Sequence, residues 1–303
     1  MKVLNIGSMN LDYVYQVDHI IIPGETQSVY EMKIFPGGKG INQSISLAKA
    51  GAPVYHCGMI GEDGQVFLDT CKQYGVDATY IRTVPEKTGH TIIQVDKSGQ
   101  NSILLYGGAN QQLTETFIDE VLEHFEAGDL LLLQNEVNLL PYIIERAYEK
   151  KMQIALNPSP YNEKIGQCDL SKISVFLLNE VEGEQMTGEK DPEKILDRLL
   201  GLYPDAKIVL TLGKEGAVFA EGNVRMEQPC FPVQAVDTTA AGDTFTGYFL
   251  AGLIGGMEIK SVLEMSAKAS SIAVTRCGAV PSIPFREEVL AALNGGMPKT
   301  SVE

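Results

Sequence analysis

The chain has 303 residues, 44% of them hydrophobic and 21% charged, which are values typical of a soluble globular protein with a sizeable core. Its net charge of −15, with no basic stripe to offset it, argues against a nucleic-acid backbone as the main partner. The lack of an apolar run of membrane-spanning length, of a signal peptide and of any C-x-x-C pair among the five cysteines predicts a cytoplasmic protein with reduced thiols and no membrane partner.

The first predicted element is a short apolar strand over residues 2–7, followed by the polar sequence Ser8-Met9-Asn10-Leu11-Asp12. Polar side chains just after the carboxyl end of a strand lie where open α/β sheets bind ligands, which favours Asn10 and Asp12 as binding residues. A simple turn is the alternative, because Asn and Asp are common turn residues.

Two pairs of strand-like runs are not interleaved with helices. They cover residues 13–22 with 26–35, and residues 88–96 with 100–106. This pattern predicts two hairpins in a small separate sheet, a β-lid formed by about residues 13–35 and 88–106. A lid that closes would exclude water from a site beneath it, whereas a static extension of the main sheet is the alternative.

A glycine-rich turn over residues 35–43 opens a helix that continues to Ala50. Its glycines permit a close approach to the backbone, and Lys39 and Asn42 lie within reach of the helix start. The turn is not a Walker loop, because no Ser or Thr follows the lysine. The chain also lacks a G-x-G-x-x-G fingerprint, which disfavours a dinucleotide-dependent dehydrogenase. A tight loop without a ligand is the alternative.

From residue 113 the pattern alternates between helices and apolar strands, which predicts a mostly parallel sheet with helices on both faces. The predicted strands cover residues 129–134, 154–157, 175–178 and 207–212. The predicted helices of this part cover residues 114–125, 139–150, 192–202, 243–253, 258–274 and 285–293, and an earlier helix is predicted over residues 63–74. A hairpin over residues 217–220 and 224–227 interrupts the alternation. With no repeat and no linker, residues 1–303 are expected to form one α/β domain with the lid attached.

Polar residues recur at the ends of these strands, and in a parallel sheet those ends meet along one edge. They are Asn10, Asp12, Asn135, Glu136, Asn157, Asn179, Glu182, Thr211, Gly213 and Asp237. Any one of them is more readily explained as a turn former. Their coincidence predicts a single ligand-binding crevice.

One segment, residues 236–245, runs from small residues directly into an apolar helix. The first amides of that helix, from Ala240, Ala241 and Gly242, are expected to be free donors at the positive end of the helix dipole and to hold an anion. Asp243 follows immediately, where a carboxylate can accept a proton beside the anion. An ordinary capped helix is the alternative.

On these motifs the chain resembles the ribokinase-like (PfkB) family of carbohydrate and nucleoside kinases along nearly its whole length. The resemblance is carried by residues 7–12, 37–43, 179–182, 237–245, 273–279 and 281–282. It implies a three-layer α/β/α fold with a β-sheet lid. It also implies ATP-dependent phosphorylation of a sugar hydroxyl, with O5 of ribose as the first candidate.

The resemblance also implies roles for individual residues. Asp243 matches the family's catalytic base, and Ala240, Ala241 and Gly242 match its anion hole. Asn179 and Glu182 match a motif that organises Mg²⁺ and phosphate, with Glu182 acting through water, and Thr211, Gly213 and Gly216 match a turn that contacts ATP together with Gly242. The implied sugar partners are Asn10, Asp12, Gly38, Lys39, Asn42, Glu136 and Asp243. The implied site for a monovalent cation, normally K⁺, comprises Asp237, Thr239, Ala273, Arg276, Gly278 and Ser282.

The sequence departs from the family pattern near the expected sugar site. Phe35-Pro36 precedes the glycine pair, and residues 106–110 replace a segment that contains histidine in the family. 2-Deoxyribose, fructose and a nucleoside therefore remain alternative substrates. A catalytically silent sugar-binding regulator is disfavoured because Asp243, Lys39 and Glu182 are all present. The open edges of the lid predict a homodimer formed through it.

Overall fold

The computed structural model describes residues 1–295. The strands are β1 (Val3–Ile6), β2 (Asn10–Gln16), β3 (Glu31–Gly37), β4 (Val54–Ile60), β5 (Asp77–Thr83), β6 (Gly89–Val95), β7 (Asn101–Tyr106), β8 (Leu130–Gln134), β9 (Gln153–Asn157), β10 (Val175–Asn179), β11 (Lys207–Thr211), β12 (Ala217–Glu221) and β13 (Val224–Gln228). The α-helices are α1 (Lys39–Lys49), α2 (Gln65–Tyr74), α3 (Glu115–Leu122), α4 (Leu140–Glu149), α5 (Glu180–Thr187), α6 (Pro192–Leu202), α7 (Ala241–Ile254), α8 (Ile259–Ala273) and α9 (Arg286–Leu293).

The larger sheet has nine strands in the order β13-β12-β11-β10-β9-β8-β1-β4-β5. Neighbouring strands from β11 to β5 are parallel, and β12 and β13 add an antiparallel hairpin at one edge. This confirms the predicted mostly parallel sheet and the hairpin that interrupts the alternation.

Helices cover both faces of the larger sheet. Alternate residues of β8 enter two separate hydrophobic clusters, with Leu130 and Leu132 in the cluster beneath α1, α7 and α8, and Leu131 and Leu133 in the cluster beneath α3, α4 and α6. Because β8 is buried on both sides, its four consecutive leucines are the pattern expected of a central parallel strand.

The smaller sheet has the order β3-β2-β6-β7. Two antiparallel hairpins, β2 with β3 and β6 with β7, are joined side by side through parallel pairing of β2 with β6. Both predicted hairpins are therefore present, but β2 begins at Asn10 and ends at Gln16, rather than covering residues 13–22. Asn10 and Asp12 thus lie within a strand and not in a turn, since β2 pairs with a neighbour on each side from its first residue.

Several predicted helix boundaries differ from the structure. The helix predicted over 243–253 begins two residues earlier, at Ala241, and the helix predicted over 114–125 covers only Glu115–Leu122. Among the helices of residues 1–295, none is long and apolar enough to cross a membrane.

Candidate active site

The start of α1 lies against the loop between β1 and β2, and two glycines make this contact possible. Gly38 has φ 101°, a left-handed conformation that residues other than glycine rarely adopt. A Cβ on Gly40 would lie 2.3 Å from Ser8 N. The first turn of α1, which carries Lys39 and Asn42, is thereby held directly over the end of β1.

Asp243, in the first turn of α7, is buried against α1. Its Oδ2 accepts a hydrogen bond from Asn42 Nδ2 at 3.0 Å, and its Oδ1 accepts one from Gln43 Nε2 at 2.9 Å. Burial raises the pKa of Asp243, and the Lys39 charge and the two amide donors offset only part of this rise. A carboxylate with a raised pKa is a stronger proton acceptor than an exposed aspartate, as a general base requires.

Lys39 supplies the positive charge of this region. Burial alone would lower the pKa of its ammonium, but the carboxylates of Asp243, Glu136 and Glu182 outweigh burial and raise the pKa. Glu136 Oε2 accepts hydrogen bonds from Lys39 N at 3.2 Å and from the hydroxyl of Ser8. Lys39 therefore stays charged at neutral pH, surrounded by acidic groups.

The two β2 candidates are held by partners from distant parts of the chain. Asn10 Oδ1 accepts a hydrogen bond from Asn110 Nδ2 at 2.8 Å, and Asp12 Oδ1 accepts one from the Thr91 hydroxyl at 2.5 Å. Burial raises the pKa of Asp12 to about 6, with Thr91 opposing the rise and the charge of Glu136 adding to it. Asp12 can therefore change its charge between pH 5 and 7.

Two cavities meet at the start of α7. The first, of about 180 Å³, brings together Lys39, Asn179, Glu182 and Asp243. The second, of about 580 Å³, is largely apolar. Its lining includes Thr211, Gly213, Lys214, Gly216, Phe231, Val233, Ala241, Gly242 and Val274. Thr211 and Gly242 border both cavities, and each residue predicted for ATP lines one cavity or the other.

The amides at the start of α7 differ in one respect from the prediction of three free donors. Ala241 N donates to Thr238 O at 3.2 Å, because residues 238–240 form a turn that closes onto the helix. Within residues 1–295, the amides of Gly242 and Asp243 have no backbone acceptor. The Ala240 amide likewise has no acceptor within residues 1–295, so Ala240 and Gly242 are the donors available to an anion, while the Ala241 amide is already engaged in a long hydrogen bond.

Asn179 and Glu182 form a capping box at the start of α5. Asn179 Oδ1 accepts from Glu182 N at 2.9 Å, and Glu182 Oε2 accepts from Asn179 N at 3.0 Å. In the described part of the chain, no group of three or more His, Cys, Asp or Glu residues is placed to hold a metal ion. One carboxylate in a polar cavity fits Mg²⁺, which usually retains waters and binds phosphate oxygens.

The residues predicted for a monovalent cation are partly brought together. Asp237 Oδ1 accepts from Thr239 N at 2.9 Å and from the Thr239 hydroxyl, and its Oδ2 accepts from Gly278 N at 2.9 Å. Burial favours a higher pKa for Asp237, but these hydrogen bonds prevail and lower it. The Arg276 guanidinium pairs with Glu288, and the Ser282 hydroxyl donates to Ala279 O. A carboxylate oxygen is a ligand that suits a hard cation such as K⁺.

A family model for pfkB family carbohydrate kinases matches residues 1–286 of the chain. The chain belongs to this family. The expected family and the expected fold class, a large mixed sheet between helices with a small second sheet, are thereby confirmed.

Relatives of this pfkB family member include several ribokinases. A ribokinase from Haemophilus influenzae is 37% identical over 298 residues, which span 95% of this chain and 97% of that protein. The crystal structure of a ribokinase from Thermotoga maritima matches with a TM-score of 0.85 at 35% identity, covering 96% and 99% of the two chains. A structure of the Arabidopsis thaliana ribokinase complexed with ribose and ATP matches with a TM-score of 0.84 at 29% identity, covering 96% and 98%.

Three polar residues of the site were not among the predicted candidates. Gln43 contacts Asp243, Asn110 contacts Asn10, and Ser8 contacts Glu136. Gln43 and Ser8 lie inside the family motifs, beside residues that were predicted to form the site. Their position could therefore have identified them from the sequence. Asn110 lies in the segment where this chain departs from the family pattern, and only the fold shows that it reaches β2.

Proposed function

We propose that the protein is an ATP-dependent sugar kinase that transfers the γ-phosphoryl group of ATP to D-ribose, at O5. The observation that carries the proposal is the buried Asp243 carboxylate, which lies between the polar start of α1 and the open amide of Gly242. Ribokinases similar to the chain over nearly its whole length support the choice of sugar.

The sugar lies in the crevice between β2 and α1. A furanose offers several hydroxyls, each a donor and an acceptor, and the amides of Asn10 and Asn42 with the carboxylates of Asp12 and Glu136 match both functions. The backbone of Gly38 and the charge of Lys39 complete the set of partners. The buried Oδ1 of Asn42 has no partner within residues 1–295, so it is free to accept a sugar hydroxyl.

In the reaction, Asp243 accepts the proton of the attacking hydroxyl as the new P–O bond forms. The departing ADP leaves along the same line. Ala240, Ala241 and Gly242 form the anion hole around the transferring phosphoryl group, with the amides of Ala240 and Gly242 as its free donors because neither has an acceptor within residues 1–295. Phosphoryl transfer depends on alignment and fixed charges more than on covalent chemistry, and the site supplies both.

The nucleotide lies in the cleft formed by the two cavities. The base occupies the apolar cavity near Phe231 and Val233, and the phosphates reach Asn179 and Glu182 through the turn at Thr211, Gly213 and Gly216. Glu182 would hold Mg²⁺ through water, and the bound ion would neutralise charge on the phosphate oxygens.

The monovalent cation would be held by Asp237 and Thr239 together with carbonyls of Ala273, Arg276 and Gly278 and the oxygens of Ser282. When bound, K⁺ would supply fixed positive charge behind the anion hole. Asp237 is tied to Gly278 across 41 residues, so the same contact would stabilise residues 238–240 just before α7.

The smaller sheet acts as a lid over the sugar, with residues 1–303 forming one domain. The lid strand β7 is at an edge, and Ile103, Leu104 and Leu105 are exposed on it. A second copy of the chain covers this edge in a homodimer. Five free cysteines, two of them buried, support a reducing compartment such as the cytoplasm.

The direct test is ATP consumption by the purified protein with a panel of pentoses, hexoses and nucleosides, including 2-deoxyribose and fructose, with and without K⁺. D-Ribose is expected to give the highest kcat/KM, and K⁺ to increase it. A preference for another sugar or for a nucleoside would replace ribose as the substrate. No ATP consumption with any acceptor would contradict the kinase assignment.

A further inference from the structure

The Asp243 carboxylate is held on one side by a chain of buried amide side chains that extends away from the crevice. Gln43 Nε2 donates to Asp243 Oδ1, and Gln43 Oε1 accepts from Gln134 Nε2 at 2.7 Å. Gln134 Nε2 also donates to Asn5 Oδ1 at 3.1 Å, and Asn5 Nδ2 donates to Gly40 O at 2.7 Å. Gln43, Gln134 and Asn5 are all fully buried.

The donor and acceptor of each hydrogen bond between these amide side chains are fixed by the contact that lies furthest from Asp243, which is the one to Gly40 O. A backbone carbonyl can only accept, so Gly40 O requires the nitrogen of Asn5, and the oxygen of Asn5 must then face Gln134. By the same reasoning the nitrogen of Gln134 faces the oxygen of Gln43, which turns the Gln43 nitrogen towards Asp243. Gln43 is therefore set as a donor before any ligand binds.

A second backbone anchor gives the same orientation independently. Asn157 Nδ2 donates to Leu177 O at 2.7 Å, which leaves Asn157 Oδ1 facing Gln43 Nε2 at 3.4 Å. Two backbone carbonyls on different elements, Gly40 O in α1 and Leu177 O in β10, thus both require that Gln43 presents its NH₂ group to Asp243.

The orientation of the Gln134 amide leaves one of its buried atoms without a hydrogen bond within residues 1–295, which destabilises the fold. Gln134 Oε1 is buried without a hydrogen-bond partner in the described residues. An unpaired buried oxygen is destabilising, and such groups in a folded protein call for a reason. Turning the Gln134 amide over would bring its oxygen against the oxygens of both Asn5 and Gln43, so the arrangement that leaves Oε1 unpaired is the one that keeps Gln43 a donor.

The two amides that contact Asp243 differ in this respect. Asn42 Oδ1 has no partner, whereas both ends of the Gln43 amide are engaged within the protein. Asn42 is therefore adjustable and open to substrate, while Gln43 is permanently fixed.

We propose that Gln43, oriented by Gln134 and Asn157, is a positioning residue that fixes the Asp243 carboxylate and holds it in its ionised, proton-accepting form. The sugar hydroxyl then transfers its proton to Oδ2, on the side of Asn42, and the neutral acid that results keeps its contact with Gln43 through Oδ1. This inference rests on the proposed role of Asp243 as the base.

The test is the pH dependence of kcat at saturating sugar and ATP, from pH 5 to 9, for wild type and Gln43→Met. Methionine preserves the size of the side chain but removes the donor to the charged carboxylate, which raises the pKa of Asp243. The acidic limb of the profile, where kcat falls at low pH, should therefore move to higher pH by about one unit. We expect kcat to fall while KM for the sugar stays within about two-fold, since the lost contact acts on the base and not on the sugar. Gln43→Glu places a second carboxylate beside Asp243 and should move the limb further than Gln43→Met.

Two further variants separate positioning from general loosening of the structure. Gln134→Met should move the limb in the same direction by a smaller amount, and the double variant should move it no further than Gln43→Met, because both act through one hydrogen bond. Ser46→Ala is the matched control, since Ser46 is a buried α1 residue that donates to Thr244 O in α7 without contacting Asp243. It should lower thermal stability and leave the limb in place.

The charged groups near Asp243, namely Lys39, Glu136 and Glu182, remain in every variant. Superimposable acidic limbs for wild type, Gln43→Met and Gln43→Glu would overturn the proposal, as would an equal shift in Ser46→Ala. If Gln43→Met does not fold, the Gln134→Met profile decides by the same criterion. A wild type that phosphorylates no sugar overturns the proposed function itself, whereas an active wild type with an unmoved limb overturns only the role of Gln43.

Discussion

At the scale of single residues, the pKa values in the site are set by the balance between burial and the charges of neighbouring groups. Asp243, Glu136 and Asp12 all have pKa values raised mainly by burial, and the one ammonium among them, Lys39, has its pKa raised by the surrounding carboxylates. The crevice therefore holds several carboxylates that the proposed sugar would stabilise by donating hydrogen bonds to them.

Asp12 leads to a prediction about pH and sugar binding. Its pKa of about 6 means that the group is protonated in most molecules at pH 5 and ionised at pH 7. A sugar hydroxyl that donates to the carboxylate favours the ionised form, so affinity should rise with pH and level off above pH 6. Isothermal titration calorimetry with D-ribose should give binding about ten-fold weaker at pH 5 than at pH 7.5.

Asp12→Asn is the control for this prediction. The variant should bind ribose more weakly at pH 7.5, and the part of the pH dependence that belongs to Asp12 should disappear. A wild-type affinity that is constant from pH 5 to 7.5 would show that the Asp12 carboxylate does not receive a sugar hydrogen bond.

At the scale of elements, residues far apart in sequence meet because α1 and α7 pack against each other on one face of the larger sheet. α1 brings Lys39, Asn42 and Gln43 to this contact, and α7 brings Asp243. Ser46 strengthens it by donating to Thr244 O at 2.9 Å. The geometry of the base therefore depends on where α1 begins, which is set by its contact with the end of β1.

Gly40 tests the contact between α1 and β1. A Cβ at this position would lie 2.3 Å from Ser8 N and 2.4 Å from the carbonyl carbon of Gly7, both of which are backbone atoms that cannot move aside easily. We expect Gly40→Ala to lower the free energy of unfolding by roughly 1–3 kcal/mol, the usual range for overpacking of a buried site. Urea denaturation followed by circular dichroism measures this change.

Gly201 in α6 provides the matched control, because a Cβ there would meet nothing within 4 Å. Gly201→Ala should stabilise the protein by up to about 1 kcal/mol through helix propensity. Equal effects of the two substitutions would show that α1 does not approach β1 as closely as described.

The elements also show what the sequence could and could not predict. The parallel strands with continuous apolar runs, such as β8, and the two hairpins of the smaller sheet followed from local pattern. β4, with the sequence VYHCGMI, was not predicted because His, Cys and Gly interrupt its apolar pattern, although the strand is almost wholly buried. β5 was missed because it is half exposed, and α5 because it has no apolar face and is fixed by its capping box.

For the site, sequence alone was limited by distance along the chain. Asp243, Lys39 and Asn42 could be predicted from the sequence because each lies in a recognisable motif. The partners Asn110 and Gln134 were not, because their contacts with Asn10 and Gln43 join residues 100 and 91 positions apart. The hydrogen bond from Ala241 N to Thr238 O could likewise not be predicted from the sequence, since it depends on the turn that precedes α7.

At the scale of the whole molecule, the proposed sugar-binding crevice lies where the two sheets meet. β2 belongs to the smaller sheet and follows β1 of the larger sheet after three residues, so Asn10 and Asp12 are attached to both. Motion of the smaller sheet would therefore change the sugar site directly, which is consistent with its proposed role as a lid.

The proposed homodimer is tested at the edge strand β7. Neighbouring strand residues point to opposite faces, yet Ile103 is 55% exposed and Leu104 64% exposed, so both faces of this edge are uncovered. Leu104→Lys should convert a dimer into a monomer, because it places a charge in the buried interface. Size-exclusion chromatography with light scattering measures the mass.

Leu202→Lys on α6 is the control for that experiment, since Leu202 is 45% exposed and lies on the larger part of the molecule. This variant should keep the wild-type mass. A wild-type protein that is monomeric at all concentrations tested would refute the dimer.

The kinase chemistry as a whole is tested most directly by turnover of D-ribose and ATP in wild type and Asp243→Asn, with ribose affinity measured on the same preparations. Asparagine keeps the shape of the side chain but cannot accept the hydroxyl proton. We expect kcat to fall by roughly 10²–10⁴-fold, the usual contribution of a general base, while ribose binding changes little. Turnover by Asp243→Asn within a few-fold of wild type would contradict the assignment of Asp243 as the base.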